Sequence, residues 1–174
     1  MVIVKATREA ILKPLQTVAG IVERRHTLPI LANVLLTKKG ADLTMVATDV
    51  EIQIETTAQI GSGNDDVQTT ISARKLLDIL RALPDQGDAE VTLALNNRKA
   101  TLTAGKSRFS LQTLAAEDFP SVSASADWIT SLSMPQQTLR HIFHMVHFAM
   151  AQQDIRYYLN GLLFITDGDT VRVV

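Results

Sequence analysis

Three segments of the chain carry apolar residues at the three- and four-residue spacing of an amphipathic helix. The first begins after Thr7, a side chain suited to cap a helix N-terminus, and contains Pro14, a residue that can kink a helix. The second begins at Ser72 and stops at Pro84, and the third begins near Pro135. The positions predicted to face inward are Ile11, Leu12, Leu15, Val18 and Val22, then Leu76 and Leu80, then Leu139, Ile142, Met145, Val146 and Ala149.

Short runs with strand character lie between the helices and are separated by turn residues. One run precedes each of the first two helices, at 2–6 and 67–71. Three runs follow the first helix (32–38, 42–47 and 51–58), and three follow the second (89–95, 100–104 and 108–114). The order strand, helix and three strands therefore occurs twice before residue 115, and the Gly- and Asp-rich segment 61–66 is predicted to be a flexible joint.

A second repeat has a longer period. Residues 31–46 match 159–174 without a gap, and the first and third helices also correspond, with Leu12, Leu15 and Val18 at the positions of Leu139, Ile142 and Met145. Repeats of this kind indicate stacked copies of one structural unit. We expect a complete α+β domain over residues 1–122, a linker near 121–126, and a second domain over 123–174. That second copy holds only a strand, a helix and two strands, which predicts a fragment of a longer chain.

The amino-acid composition excludes several classes of site and of protein. The chain has 174 residues and no cysteine, which excludes disulfides, zinc–thiolate sites and cysteine nucleophiles. Its start lacks the apolar core of a signal peptide, and no apolar run approaches the ~20 residues of a membrane span. These features predict a soluble, cytoplasmic protein that needs no cofactor.

Charge is distributed unevenly, although the net charge is only −1. Windows 7–25, 72–82 and 134–150, which hold the predicted helices, carry eight basic and three acidic residues, so the rest of the chain is acidic. Basic helices on an acidic body favour a polyanion partner contacted without sequence reading. The alternative is that these helices simply present Lys and Arg to solvent.

Several motifs, in order and at near-constant spacing, resemble the bacterial DNA polymerase III beta subunit family, the sliding clamps. They are RHTLPILAN at 25–33, ATDVE at 47–51, SARK at 72–75, SRFSLQTL at 107–114 with DFP at 118–120, and QDIRYYLNG at 153–161. The resemblance covers the whole chain. It implies the DNA clamp fold, in which each domain is a doubled β-α-β-β-β unit with two helices packed on antiparallel sheets. It also implies a third domain that this chain does not contain.

A sliding clamp of this family stays on DNA because it forms a closed ring around the duplex. The resemblance implies a non-catalytic processivity subunit of the polymerase III holoenzyme, in which two protomers close head to tail around double-stranded DNA. Weak, sequence-blind contacts suit a ring that must slide. The residues matching the family's DNA-contacting positions are Arg25, Arg74 and Gln153, with Tyr157 and Tyr158 beside them and Arg24 as an addition. For the two tyrosines, packing under a sheet is the alternative interpretation.

The resemblance also implies a homodimer interface at the end of the first domain. On the second helix, Lys75, Ile79 and Leu83 form a stripe separate from Leu76 and Leu80. On a nearby edge strand, Phe109 and Leu111 alternate, flanked by Lys106 and Arg108. An ordinary domain core could instead contain these apolar residues, and for Leu83 the two interpretations stay open.

The family binds peptide motifs of the polymerase catalytic subunit and of the clamp loader in a pocket between its second and third domains. Only Leu159 of this pocket matches here, because the family's TDGHR stretch would begin after Val174. We therefore expect the chain to bind such peptides poorly or not at all.

The sequence leaves two other classes of function to consider, an enzyme and a protein-interaction module. An enzyme would need a site, and the only candidates are His141, His144 and His147, spaced by three along one helix, and Asp49, Glu51 and Glu55 along one strand. Steps of three drift around a helix, which disfavours a metal ion, and the carboxylates fit a solvated strand face. The other class is a truncated, non-ring-forming paralogue that acts only as a protein-interaction module.

Overall fold

In the computed structural model, which describes residues 1–22, 28–84, 90–120 and 131–174, strand β1 (Val2–Thr7) runs directly into helix α1 (Arg8–Ala19). The Thr7 hydroxyl accepts a hydrogen bond from the Ala10 N–H at 3.4 Å, which confirms the predicted cap. The helix continues past Pro14 and buries Ile11, Leu12, Leu15 and Val18. Each such side chain stabilises the fold by roughly 1.5–3 kcal/mol.

The other elements of the first 120 residues follow the predicted order. After α1 come a 3-10 turn (Pro29–Ala32) and strands β2 (Asn33–Lys39), β3 (Asp42–Thr48) and β4 (Gln53–Ala58). The second half contains β5 (Val67–Ser72), α2 (Ala73–Ala82), β6 (Glu90–Asn96), β7 (Lys99–Ala104), β8 (Ser107–Leu114) and a 3-10 turn (Ala116–Asp118). Predicted and observed strand ends agree within two residues.

The two halves exchange their first strands. The strands form one eight-stranded sheet in the order β1-β6-β7-β8-β5-β2-β3-β4, and every pairing is antiparallel. Strand β1 therefore completes the sheet of the second half, and β5 completes that of the first. Among the described strands, the two sheets join where Thr70 and Ile71 of β5 face Leu114 and Thr113 of β8.

Helices α1 and α2 pack against each other and against the sheet. Their apolar side chains form a single core with one face of the strands. Along β7 and β8, Ala100, Leu102 and Leu111 are buried, whereas the alternating Ser110 and Arg108 are exposed. The helices consequently cover one side of the sheet, and its opposite side is polar.

The segment that joins the two halves is braced, so the prediction of a flexible joint at 61–66 is wrong. The Gly61 N–H donates to the Ala41 carbonyl at 2.8 Å, and the Ser62 N–H donates to the Ile3 carbonyl at 3.0 Å. A Cβ on Gly61 would lie 2.7 Å from the Gly40 carbonyl oxygen, a distance that only glycine permits.

A buried lysine completes this bracing. Lys38 is fully buried on the core side of β2, and its ammonium donates to the Ser62 carbonyl at 3.1 Å and to the Gly63 carbonyl at 2.8 Å. A buried charge is tolerated only when it is hydrogen-bonded. The glycine-rich composition of the joint gave no sign of this contact, because Lys38 reaches it from 24 residues away in sequence.

The chain divides into two compact units, Met1–Ala124 (unit 1) and Ser125–Val174 (unit 2). Unit 2 contains α3 (Gln136–Val146), 3-10 turns at His147–Ala149 and Tyr157–Asn160, and the hairpin of β9 (Phe164–Asp167) and β10 (Thr170–Val173). The predicted linker and the boundary at residues 122 and 123 lie outside the described residues, so the boundary remains a prediction.

The long-period repeat appears in the backbone. The 3-10 turns Pro29–Ala32 and Tyr157–Asn160 lie at equivalent positions, and the hairpin glycines Gly40 and Gly168 have φ of +57° and +55°. Leu139, Ile142 and Val146 are half-buried, but Met145 is 58% exposed and Ala149 is exposed. The inward prediction is wrong for these two; Ala149 lies in a 3-10 turn, where the helical period no longer holds. The strand expected before α3 is not present at 131–135.

Among the described residues, no helix is both long enough and apolar enough to cross a membrane.

We expect Lys38→Met to lower the free energy of unfolding of unit 1 by about 1–3 kcal/mol, because two carbonyls lose their donor. Urea denaturation of the whole chain, with Lys39→Met as the matched control, measures this. Lys39 is the exposed neighbour, and its replacement should change stability by no more than about 0.5 kcal/mol. Equal midpoints for the two variants would contradict the bracing role.

Candidate nucleic-acid interface

The exposed side of α2 is basic. Ala73, Leu76 and Leu80 are buried against the sheet, which leaves Arg74, Lys75 and Arg81 exposed together with Asp78. This division follows from the helical period, since residues three and four apart share a face. Arg74 and Lys75 lie in the first turn of α2, and the predicted contact Arg74 is therefore available to a ligand.

The two basic residues of α1, Lys13 and Arg8, differ in exposure and in contacts. Lys13 is exposed on the side of the helix away from the core. Arg8 is half-buried, and its guanidinium donates to the Leu83 carbonyl at 3.4 Å and to the Glu9 carboxylate at 3.3 Å. Arg8 therefore helps to join α1 to the end of α2. The predicted contacts Arg24 and Arg25 lie outside the described residues.

A second polar surface lies in the loop after α3. Gln153 has φ of +58°, which is the left-handed region and is uncommon for glutamine. Around it, the Asn160 amide nitrogen donates to the Asp154 carbonyl, and the Asp154 N–H donates to the Asn160 side-chain oxygen, both at 3.0 Å. These bonds hold the loop so that Gln153 is exposed.

Asp154 and Arg156 form a two-pronged ion pair within this loop. The guanidinium donates from Nε and from a terminal nitrogen to the two carboxylate oxygens, each at 3.0 Å, and the Arg156 N–H donates to Asp154 Oδ1 at 2.8 Å. The Arg156 side chain, and then its backbone N–H, lower the pKa of the Asp154 carboxyl below its ordinary value. The same contact raises the pKa of Arg156. Arg156 thus orders the loop, and its charge is largely neutralised.

Tyr157 and Tyr158 follow this ion pair and are 84% and 68% exposed. Their rings meet edge to face, with centroids 6.0 Å apart. In the described residues the tyrosines are therefore not packed under a sheet. Unit 2 brings Gln153, Tyr157 and Tyr158 together in one loop, whereas Arg74 belongs to unit 1.

The predicted interface residues fall into three groups by exposure. Lys75, Lys106 and Arg108 are exposed, whereas Ile79 and Phe109 are half-buried against the core of unit 1. Leu83 and Leu111 are buried in that core, at 7% and 5% exposure. The core interpretation therefore describes these two leucines in this chain. Any interface role for them remains a prediction.

Strand β8 has one open side. It pairs with β7 over Ser107–Gln112, but its other side pairs with β5 only at Thr113 and Leu114. In the part of the chain that the structure describes, no strand covers that side over 107–112. The prediction that this segment forms an edge therefore holds up to residue 112, where the sheet joins β5.

Sequence analysis missed Arg98 and Lys99. With Arg108, Thr101 and Gln112, they line a surface cavity of about 620 Å³ on the polar side of the sheet. The register pairs Lys99 with Gln112 and Thr103 with Arg108, which places these side chains on one face. Strand alternation in the sequence could have revealed this cluster, because the polar residues of β7 and β8 alternate with the apolar ones.

Of the acidic residues considered as a possible enzyme site, Asp49 has a structural role. Asp49 caps a tight turn, where its Oδ1 accepts from the N–H groups of Glu51 (3.0 Å) and Ile52 (2.7 Å) around Val50, whose φ is +85°. Because β4 begins at Gln53, Asp49 and Glu51 precede the strand on which we had placed them with Glu55. No group of three or more His, Asp or Glu in the described residues is arranged to hold a metal.

Leu159, the single predicted residue of the peptide pocket, is half-buried. Its N–H donates to the Arg156 carbonyl at 2.8 Å, and its carbonyl accepts from Ala151 at 2.9 Å. The backbone of Leu159 therefore closes the loop that carries Gln153.

The chain is similar to known replication proteins over its whole length. The sequence profile of the DNA polymerase III beta subunit, N-terminal domain, matches residues 3–123. The beta sliding clamp of Pseudomonas putida is 45% identical over 167 residues, which are 96% of this chain and 45% of that protein. The beta sliding clamp of Escherichia coli is 41% identical over 169 residues, again 45% of its length.

Comparison with solved structures finds the same family. The DNA polymerase III subunit beta of Pseudomonas aeruginosa superposes with a TM-score of 0.90 at 43% identity, covering 99% of this chain and 46% of that one. The pol III beta of Caulobacter crescentus gives 0.83 at 34% identity, with 98% and 45% covered. The predicted fold is therefore confirmed, and the chain spans less than half the length of these relatives.

The lowered pKa of Asp154 leads to a pH prediction. Because the pKa is depressed in the folded loop, the ion pair stabilises the loop above the ordinary pKa of an aspartate, and this stabilisation is lost as the pH falls through the lowered pKa. Carboxyl-carbon NMR titration of the whole chain should place the Asp154 midpoint below the ordinary aspartate value. Arg156→Gln should return it toward that value, and Arg172→Gln, a change at an exposed arginine of β10, should not. An unchanged midpoint in Arg156→Gln would refute the assigned cause.

Proposed function

The chain belongs to the DNA polymerase III beta subunit family of sliding clamps, and from this premise we propose that it contributes the first domain, and part of the next, to a ring that encircles duplex DNA. The observation that carries the proposal is that α1 and α2 lie side by side on one face of the sheet, with Lys13 and Arg74 exposed. A role at the chromosome would place the protein in the cytoplasm.

Duplex DNA is proposed to lie along the helix side, and its contacts are expected to be weak. Lys and Arg attract phosphates over several ångströms without reading bases, so a closed ring can keep its hold while it slides. Arg24, Arg25 and Arg74 would supply charge from unit 1. Gln153, Tyr157 and Tyr158 would supply polar and flat aromatic contacts from the ordered loop of unit 2.

Ring closure is proposed to use the open side of β8. An unpaired strand side offers backbone N–H and C=O groups to a strand of another protomer. Lys106 and Arg108 at its beginning, and Lys75 on α2, are exposed cations that favour an acidic partner surface. Ile79 and Phe109 would contribute apolar area to the same homodimer contact.

The remaining proposals concern partners. We infer a non-catalytic role, in which the ring tethers the polymerase III catalytic subunit and is placed on DNA by the clamp loader through peptide motifs. Of the residues that would hold such a motif, only Leu159 is assigned in this chain. No observation favours the alternative of a protein-interaction module that does not close on DNA.

Arg74→Glu tests the DNA contact directly. At low salt we expect the affinity of the chain for random duplex to fall about three- to tenfold, and the slope of log Kobs against log salt to decrease by about 1. Fluorescence anisotropy measures both quantities. Lys39→Glu makes the same charge change at an exposed position on the sheet side away from the helices, and it should have little effect. Equal losses in both variants would argue for non-specific electrostatics.

Ring function needs the rest of the family's length. A chimaera in which residues 1–174 replace the matching part of the Pseudomonas putida clamp should remain on nicked circular DNA after loading and leave when the circle is cut. Failure to remain on circular DNA while the chimaera is folded and dimeric would refute the proposed function.

The interface is tested in the same chimaera. We expect Lys106→Glu combined with Arg108→Glu to weaken the dimer roughly tenfold or more, because two favourable charge contacts become repulsive. Sedimentation equilibrium measures the dissociation constant, and Lys39→Glu serves as the control. An unchanged constant would place the interface elsewhere.

A further inference from the structure

The side of the sheet that faces away from the helices carries a polar cavity with three cations. The cavity has a volume of about 620 Å³, and its lining includes Arg98, Lys99, Thr101, Arg108, Ser110 and Gln112. These side chains are exposed except for Thr101, which is half-buried. We call this group of six residues the sheet cavity.

Strand register fixes the order of the side chains in the sheet cavity. The register pairs Lys99 with Gln112, Thr101 with Ser110 and Thr103 with Arg108. Residues two apart along a strand share a face, so a row of hydroxyl groups separates Lys99 from Arg108. The Cα atoms of these two cations are about 13 Å apart along the strand direction. Arg98 lies in the turn just before β7, at the Lys99 end of the row.

The three cations keep their charge available for a ligand. Among the described residues, none that lines the cavity is acidic, and none forms an ion pair with Arg98, Lys99 or Arg108. Lys5 and Glu90 lie on the same face of the sheet, but they pair with each other at 3.0 Å. An anion on this face therefore meets uncompensated positive charge at the sheet cavity.

Acidic residues limit the surface on one side. Glu117 and Asp118 line a second cavity of about 310 Å³, which Arg98 also borders. A negatively charged ligand that extended past Arg98 would meet two carboxylates of the same sign. The favourable footprint therefore runs from Arg98 along β7 and β8 toward Arg108.

The polar groups of the sheet cavity fit a polypeptide better than a nucleic acid. Gln112 offers a donor and an acceptor, and the hydroxyls of Thr101 and Ser110 do the same. A peptide backbone presents one N–H and one C=O at each residue, whereas a phosphate oxygen only accepts. The described lining contains no aromatic ring on which a base could stack. Arginine and lysine bind carboxylates through charge-assisted hydrogen bonds.

Pairing of a second protomer along β8 leaves this surface open. The proposed homodimer contact uses the unpaired side of β8, and strand pairing adds a strand in the plane of the sheet. The sheet cavity lies on the face of the sheet, so a different partner can reach it while the edge is paired. Arg108 borders both surfaces, whereas Arg98 and Lys99 belong to the sheet cavity alone.

We propose that the sheet cavity binds an extended acidic segment of a partner protein, whose carboxylates at positions n and n+4 meet Lys99 and Arg108. In an extended chain these two positions share one face and lie about 13 Å apart, which is the separation of the two cations. Position n+2 lies over the hydroxyls of Thr101 and Ser110, which favours a small polar side chain there. This surface is additional to the proposed ring, which does not require it.

Two peptides of equal composition test the spacing. In GSETSTEGS the glutamates are four apart and share a face, whereas in GSEETSTGS they are adjacent and point to opposite faces. Amide NMR titration of the isotope-labelled whole chain at low salt measures both affinities. We expect the first peptide to bind roughly fivefold more tightly, because only it reaches both cations. Its largest shifts should fall at Thr101, Ser110 and Gln112.

Charge variants test the residues. Arg98→Gln with Lys99→Gln should weaken binding of GSETSTEGS about tenfold, because charge-assisted contacts are lost at one end. Lys39→Gln with Arg172→Gln removes the same charge at exposed positions outside the cavity and should change the Kd less than about twofold. Ser110→Glu places a negative charge within the row and should weaken binding at least as much. Unchanged amide dispersion verifies that each variant is folded.

Four outcomes would overturn the inference. They are equal affinities for the two peptides, equal losses in the two double variants, undiminished binding to Ser110→Glu, and largest shifts on the helix side of the sheet. Reduced affinity of Arg98→Gln with Lys99→Gln for random duplex DNA, with peptide binding unchanged, would assign the surface to nucleic acid instead. Failure of the ring proposal is distinct, because it appears as loss of the chimaera from circular DNA.

Discussion

The exchange of first strands within unit 1 is the constraint on which the rest of this structure depends. Strand β1 pairs with β6, and β5 pairs with β2, so neither half can complete its sheet alone. Each exchanged strand runs directly into a helix, β1 into α1 and β5 into α2. The pairing that joins the halves therefore also fixes where both helices begin, and it places them on the same face of the sheet.

That placement separates the chemistry of the two faces. Apolar residues of the strands and helices form one core, which leaves cations of α1 and α2 on the outer side of the helices and polar side chains on the far side of the sheet. The braced joint keeps the halves in this arrangement, because Lys38, Ile3 and Ala41 hold its backbone from three different strands or turns.

Unit 2 repeats part of the backbone plan of unit 1 but carries different side chains on it. The 3-10 turn and the hairpin glycine recur at equivalent positions, but the chemistry carried by α3 and its following loop differs from that of α1. Where α1 exposes Lys13, α3 exposes Arg140, His141 and His144, and His147 follows in the 3-10 turn. The Asp154–Arg156 pair then orders the loop that presents Gln153, Tyr157 and Tyr158. One backbone plan thus carries different polar side chains in its two copies.

The sequence by itself determined the elements, the two repeats and the family, because hydrophobic period, turn residues and motif spacing are local properties. Helical periodicity also placed Arg74 on an exposed helix face, whereas the roles expected for Arg74 and Gln153 came from the family resemblance and remain predictions. Only the tertiary structure decided that β1 and β5 change places, that Lys38 pins a segment expected to be flexible, and that Leu83 and Leu111 are buried in the core of unit 1. These outcomes depend on contacts between residues far apart in the chain, and no local pattern specifies which distant carbonyl a lysine reaches or which sheet a strand completes.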